Sequence, residues 1–489
     1  MVLKKMNKKY DFLIIGAGIT GVFCAEYLLN KFKNINLALI DKGDFLPNES
    51  LKSIDQNINE NFLKNNFVSQ KQNYSPKFTT ASINKSIIYE NYFHNFFRFE
   101  SSKIGGFANF WGAVLFPFTK TECKASGINI NNLKNDYDNV LRFFEITGSS
   151  SSAIYPNELQ KKKFHSIKGE EFDLCSFNNS NEHSNFILGP TLLALDKEKC
   201  KSSGSCLYGC PNNAIFSTIN KINYLKKKFN NLDIFKLFNV IDIKKNNIFY
   251  NVLGSNNVVI QAKKILITCG AINSHKLVST IYKKNLINSD LLHNPYISFP
   301  VIISSNKYSY KKIPLPKYHF LFKKKITGTI YKIQDLPKNF LAQNFPFKNK
   351  FLINFFFKRL ISNMHVVVLF FDSSYSKSKI DTYNENTFIR GRLKKNFYIN
   401  AIIKFIILIP YFLKNRIFPI IPKLTNGYLG SDMHYYGTLN NTNLVNIKNG
   451  KLKDFDNIYV CDGSLLKHIP SKHPVFNSLV KTLQIIKEL

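Results

Sequence analysis

Three groups of residues in this 489-residue chain have types and spacings that could do chemistry. Gly16, Gly18 and Gly21 follow the apolar run 12–15, and Asp41 ends the next apolar run. Cys200, Cys206 and Cys210 stand at C-x5-C-x3-C, with Pro211 directly after the last. His434 and His473 lie 39 residues apart and flank the segment that contains Asp462 and Gly463. Histidine is the side chain whose ordinary pKa suits a proton acceptor near neutral pH.

The glycines predict a tight turn from strand into helix. Gly16 permits the turn, Gly18 lets the backbone approach a pyrophosphate, and Gly21 lets helix and strand pack closely. The free N–H groups of the helix start would hold the phosphate charge. Asp41, 20 residues beyond Gly21, can bond both hydroxyls of an adenosine ribose. A phosphate-free packing turn would not need the acid at that distance, so strand, glycines, helix, strand and acid in order predict a bound dinucleotide. The position near the N-terminus favours FAD over NAD.

The cysteine spacing predicts a different centre. Short loops between thiolates, closed by Cys-Pro, suit iron–sulfur ligation. Zinc would ordinarily take a fourth ligand, and His183 and Cys175 lie well upstream. The competing expectation is that the segment packs on a flavin without iron. Eight cysteines in a chain that reads as cytoplasmic argue for thiols or ligands rather than disulfides.

The elements that must position these groups follow from patterning. The length allows two domains or an interleaved pair with ample core. Hydrophobic content of 44% and aromatic content of 14% fit an ordered globular protein. The net charge of +35 is spread through the chain, inside apolar strands as well, and no arginine-rich arm, zinc finger or RNP-type motif accompanies it. Nucleic acid is therefore not expected as a partner. The basic start runs into the glycine turn and reads as the first strand rather than a leader. The stretch 46–94 reads as a loop or excursion, 219–228 as a helix, 233–268 as strands, 265–278 as strand, glycine turn and helix, and 457–460 as a strand before a final helix over 474–489. The stretch 397–424 contains the apolar run 401–413, which is interrupted by Lys404 and Pro410 and is shorter than the roughly 20 residues a span requires. It reads as a buried helix, with an interfacial amphipathic segment and peripheral membrane association as the alternative.

Four segments resemble the glucose–methanol–choline (GMC) oxidoreductases, flavoproteins that oxidise alcohols. They are the N-terminal fingerprint, G-G-F-A-N-F-W over 105–111, the strand and G-A-I-N-S turn near Gly270, and the C-terminal block. That block reads H-Y-Y-G-T from His434, then a strand ending in D-G-S, then His473-Pro474 opening the last helix. The resemblance implies an α/β fold: a discontinuous Rossmann-like FAD-binding domain of GMC type (1–45, 95–130, 195–285 and 425–489) with an interleaved α+β substrate-binding domain (130–195 and 286–424).

It also implies roles. His434 matches the base that takes the hydroxyl proton while hydride leaves the same carbon, and His473 matches the group that holds the substrate oxygen. Gly105, Gly106, Asn109, Trp111, Val240, Gly270, Asp462, Gly463 and Pro474 match positions around FAD, with Val240 expected to bond the adenine through its backbone. The segment 105–111 has no histidine, so FAD is expected to be non-covalent, and Phe107 and Ala108 stand where hydroxyl residues are usual. The cysteine spacing is similar to that of the catalytic subunits of FAD-dependent glucose and fructose dehydrogenases. There, three cysteines hold a 3Fe–4S cluster that carries electrons to an outside acceptor, a protein or a quinone. The expected substrate is a sugar or other polyol. The rival readings are a flavin oxidase that uses oxygen and no iron, a flavoprotein of another class, and a non-enzymatic basic protein that binds membranes or polymers.

Overall fold

The computed structural model describes residues 4–45, 88–93, 95–101, 103–109, 111–147, 156, 185–201, 210, 212–304, 318–323, 326–332, 364–384, 386–420 and 425–489. Most of the 46–94 stretch lies outside them. Its end is a strand, Ile88–Phe93, paired antiparallel with Phe96–Ser101.

A parallel sheet forms the larger layer. Its order is Leu232–Phe235, Leu37–Ile40, Lys4–Ile15, Val258–Ile267, with Ile458–Val460 beside the C-terminal half of the last of these. The N-terminal half of Val258–Ile267 instead pairs antiparallel with Phe249–Gly254, which pairs with Val240–Asn246. Leu13, Ile14, Leu37, Leu39, Ile265 and Leu266 are fully buried, as continuous apolar strands covered on both faces require. The helix Ile19–Lys31 follows the first strand, and the final helix Val475–Lys487 packs against it. The latter buries Phe476, Leu479, Val480, Leu483 and Ile486 completely. Each such side chain contributes about 1.5–3 kcal/mol.

The second sheet is antiparallel. Its order is Ile417–Pro419, Tyr296–Ile303, Met364–Phe370, Ile326–Lys332, Tyr318–Phe322, Phe186–Pro190. The 18-residue helix Phe397–Lys414 covers one face, setting Phe405, Leu408 and Phe412 against Phe299, Ile330 and Leu369. Side chains alternate across a strand, so Thr329 and Phe370 point to the opposite face. That face meets the histidines. The helix is not the buried one its composition predicts: only its inner side is packed, and Ile399, Ile402, Ile403, Ile406 and Ile407 are exposed.

Candidate active site

Strand Lys4–Ile15 ends at Gly16, whose φ of 104° an L side chain rarely adopts. A Cβ there would lie 2.7 Å from the Thr268 carbonyl oxygen. A Cβ on Gly21 would lie 1.9 Å from the Gly16 oxygen, so this glycine sets how closely the helix presses on the strand. Gly18 is different. It caps the helix without a side-chain bond, and a Cβ on it would meet nothing within 4 Å. Gly270, which starts helix Ala271–Tyr282, is equally open, and a Cβ on Gly106 would have only the Gly18 Cα near it, at 3.9 Å. Gly105 donates its N–H to the Ala17 carbonyl at 3.0 Å, which holds the Gly105–Gly106 turn over this opening. Three side-chain-free positions and two helix starts thus border a groove at the C-terminal ends of the parallel strands, the place where such sheets bind ligands.

Asp41 closes the far end. Its two carboxylate oxygens accept the Ala17 and Gly43 N–H groups, each at 2.7 Å, and each retains lone pairs for a further donor. Burial holds this carboxyl above the ordinary carboxylate pKa, with both backbone bonds opposing. Val240 begins the strand just past Phe238, whose N–H bonds the Asp41 carbonyl at 2.8 Å. Asp462 lies at the other end. Its carboxylate accepts from the Gly270 N–H at 3.0 Å, the Ser274 hydroxyl at 2.5 Å, and both the Ser464 N–H and hydroxyl. It therefore fastens the turn after strand Ile458–Val460 to the start of helix Ala271–Tyr282. Gly463 is required because the Tyr436 ring occupies the space of its Cβ, 2.1 Å away.

The same contacts bring the histidines to this groove. The Gly437 N–H bonds the Gly463 carbonyl at 3.0 Å, and the Thr438 hydroxyl bonds the Ala271 carbonyl at 2.7 Å. His434 is three residues before Gly437. His473 precedes Pro474, which caps the final helix with no side-chain bond of its own. The two imidazoles stand edge to face with centroids 5.2 Å apart. The Phe370 ring lies 5.6 Å from one and 5.0 Å from the other.

Asn294 fixes the proton on His434. Both hydrogens of its amide are occupied, donated to the Phe371 and Pro470 carbonyls at 2.9 Å, so its oxygen is the atom 3.1 Å from His434 Nδ1. An amide oxygen only accepts, hence Nδ1 carries the hydrogen and Nε2 keeps its lone pair. Nε2 has no hydrogen bond among the described residues. Burial lowers the pKa of His434, with the Asp432 carboxylate opposing and His293 reinforcing the shift. Asp432 accepts the Asn294 N–H at 2.8 Å and sits 3.3 Å from His293 Nδ1, anchoring this layer. The result is a neutral imidazole with one bare nitrogen, the form a general base needs.

His473 is held from the other side. Its Nε2 lies 3.4 Å from the Thr329 hydroxyl, which is 3.2 Å from Nε2 of His319, whose Nδ1 is 2.6 Å from the Thr191 hydroxyl. His319 is fully buried, and desolvation with the nearby Lys472 charge pushes its pKa down to about 3, so it stays neutral. A hydroxyl between two ring nitrogens donates to one and accepts from the other, so Thr329 selects the His473 tautomer. Thr329→Val keeps the shape and removes that selection. We expect about a tenfold fall in turnover with an altered pH profile, measured by steady-state kinetics; an unchanged profile would exclude the positioning role.

The other expected positions have contacts of their own within the protein. The Trp111 indole donates to the Phe216 carbonyl at 3.1 Å and packs with Phe144 and Phe216. Asn109 donates to the Ile104 carbonyl at 2.8 Å, under Gly105. Cys206 lies outside the described residues. Cys200 and Cys210 pack against the main core, and Cys210 Sγ accepts the Ala214 N–H at 3.3 Å. Among the described residues no group of three His, Cys, Asp or Glu could hold a metal ion.

Asn294, Asp432, His293, Thr329, His319 and Phe370 are the site residues that the sequence reading missed. The signals were the H-N-P at 293–295, in a stretch that otherwise reads as motif-free, and the D-x-H that ends in His434 at the start of the C-terminal block.

No family model and no curated sequence matches the chain. Solved structures do. The chain is similar to pyridoxine 4-oxidase from Mesorbium loti, with 12% identity and a TM-score of 0.60 over 98% of this chain and 99% of that one. It is also similar to formate oxidase from Aspergillus oryzae RIB40, studied for its FAD modification, with 10% identity and a TM-score of 0.59 over 98% of both chains. The chain has their α/β fold: a Rossmann-like domain with an interleaved second domain.

Proposed function

We propose that this chain, built on the fold of those two oxidases, is an FAD-dependent oxidoreductase of the GMC family acting on a CH–OH group. One observation carries the reading: a neutral His434 with a bare Nε2, beside His473, at the end of a groove whose open glycines leave room for a dinucleotide. Gly18, Gly106, Gly270 and Asp41 would hold the FAD, without a covalent bond through 105–111. When bound, the flavin supplies a hydride acceptor. The protein does the rest. His434 Nε2 accepts the hydroxyl proton, Asn294 keeps its Nδ1 protonated, and His473, set by Thr329, holds the substrate oxygen. The Phe370 ring and the apolar sheet behind it exclude water.

For the substrate, a sugar or polyol follows from the sequence resemblance. A second reading has its own support. Phe370 offers a ring face next to both histidines, and one similar structure is named for pyridoxine, an aromatic alcohol. Oxygen is the acceptor favoured by two neighbours named as oxidases. Relay through Cys200, Cys206 and Cys210 to an outside protein or quinone is the alternative. Anaerobic reduction by sugars, polyols and hydroxymethyl aromatics, followed by reoxidation with oxygen or a dye and an iron assay, separates these. Peroxide without iron supports the oxidase; about three irons per chain and preference for the dye support the relay. A protein reduced by none of the alcohols would sink the CH–OH assignment.

A further inference from the structure

The helix Phe397–Lys414 presents an apolar face that nothing in the described structure covers. Ile399, Ile402, Ile403, Ile406, Ile407 and Leu413 are 43–64% exposed, spaced to share one side of the helix. A patch of this kind on a folded chain marks a contact surface. Among the described residues this is the helix long and apolar enough to cross a membrane. Its opposite side is locked into the second sheet through Phe405, Leu408 and Phe412, so it can lie along a bilayer but cannot enter one end-on.

Charge identifies the partner. From residue 386 to 431 the chain has eight Lys and Arg and no Asp or Glu. Lys395 is exposed before the helix, and Lys414 and Arg416 are exposed at its end. The cation in between, Lys404, folds back over the Phe371 and Tyr375 rings, 4.7 Å from each centroid, which leaves the outer face apolar. An isoleucine stripe framed by cations is the pattern that binds anionic lipid headgroups while sinking its apolar side into the acyl boundary.

We propose that this face docks the protein on an anionic lipid bilayer, with the helix lying in the interface. The proposal is independent of the reaction assigned above. The test is co-sedimentation of the full chain with phosphatidylglycerol vesicles and with phosphatidylcholine vesicles. Binding to the anionic vesicles, weakened by salt, is the expected result. Ile403→Glu with Ile406→Glu should reduce partitioning by roughly a hundredfold, since each isoleucine taken from the interface is worth on the order of tenfold. Both positions are exposed, so circular dichroism should be unchanged. Lys395→Glu with Lys414→Glu should weaken binding and flatten its salt dependence. Equal binding by the isoleucine double variant, or no binding by the natural chain, would overturn the proposal. So would a natural dimer that the isoleucine variant dissociates, because the face would then belong to a second copy.

Discussion

His434→Ala is expected to lower turnover by about a thousandfold while the protein still binds FAD. Removing a positioned general base typically costs between about a hundredfold and ten-thousandfold. His434 fits the upper part of that range because its alternatives are gone: its neighbour His473 has Nε2 tied to Thr329, and Asn294 is an acceptor toward it. The ring makes no contact that the dinucleotide groove depends on, so flavin content reports folding separately from chemistry. The pH dependence has a definite sign. Burial lowers the pKa below the usual 6.5, so the neutral base persists below that pH. Turnover in the natural protein should stay flat above pH 6.5 and fall only as pH drops through the lowered value. Rapid-reaction measurement of flavin reduction across pH checks both points; unchanged reduction in His434→Ala would remove the base assignment.

The second large effect separates two glycines only three residues apart. Gly18→Asp should fold normally, because its Cβ meets nothing within 4 Å, yet place a carboxylate where a pyrophosphate would lie. The expected loss of FAD affinity is at least a hundredfold, about 2.7 kcal/mol of unfavourable contact and charge. Gly21→Val should do the opposite. Its Cβ would stand 1.9 Å from the Gly16 oxygen, forcing helix Ile19–Lys31 off the strand and destabilising the fold by more than about 3 kcal/mol. Thermal melts and flavin titration distinguish them. A Gly18→Asp protein that holds FAD normally would mean the open groove is not the dinucleotide site.

The N-terminal fingerprint was legible because it is local: the turn, the helix start and Asp41 lie within one strand–helix–strand unit. The final strand and helix were legible for the same reason, their boundaries falling within one or two residues of expectation. What escaped is long-range. Asn294 reaches His434 across 140 residues, and Thr329 reaches His473 across 144. No local signal marks such pairs. Thr329 is aimed there by the antiparallel pairing of Ile326–Lys332 with Met364–Phe370, which turns alternate side chains toward the histidines, and Asn294 by its bonds to the Phe371 and Pro470 carbonyls and to Asp432. Asp462 shows a subtler difference. Its position beside the groove was expected, but its carboxylate is filled by four hydrogen bonds from the protein, so what it offers is the geometry of the turn and of the helix start. Helix Phe397–Lys414 read as buried because composition counts apolar residues without regard to side. Only the sheet decides which side is covered.

The glycine groove is proposed to hold FAD within reach of His434. The most direct test is the absorption spectrum of the purified full chain, followed by acid precipitation and analysis of the released flavin. Oxidised-flavin bands, stoichiometric with protein, and FAD recovered intact in the supernatant are the expected result. A colourless protein that takes up no FAD when it is supplied would contradict it.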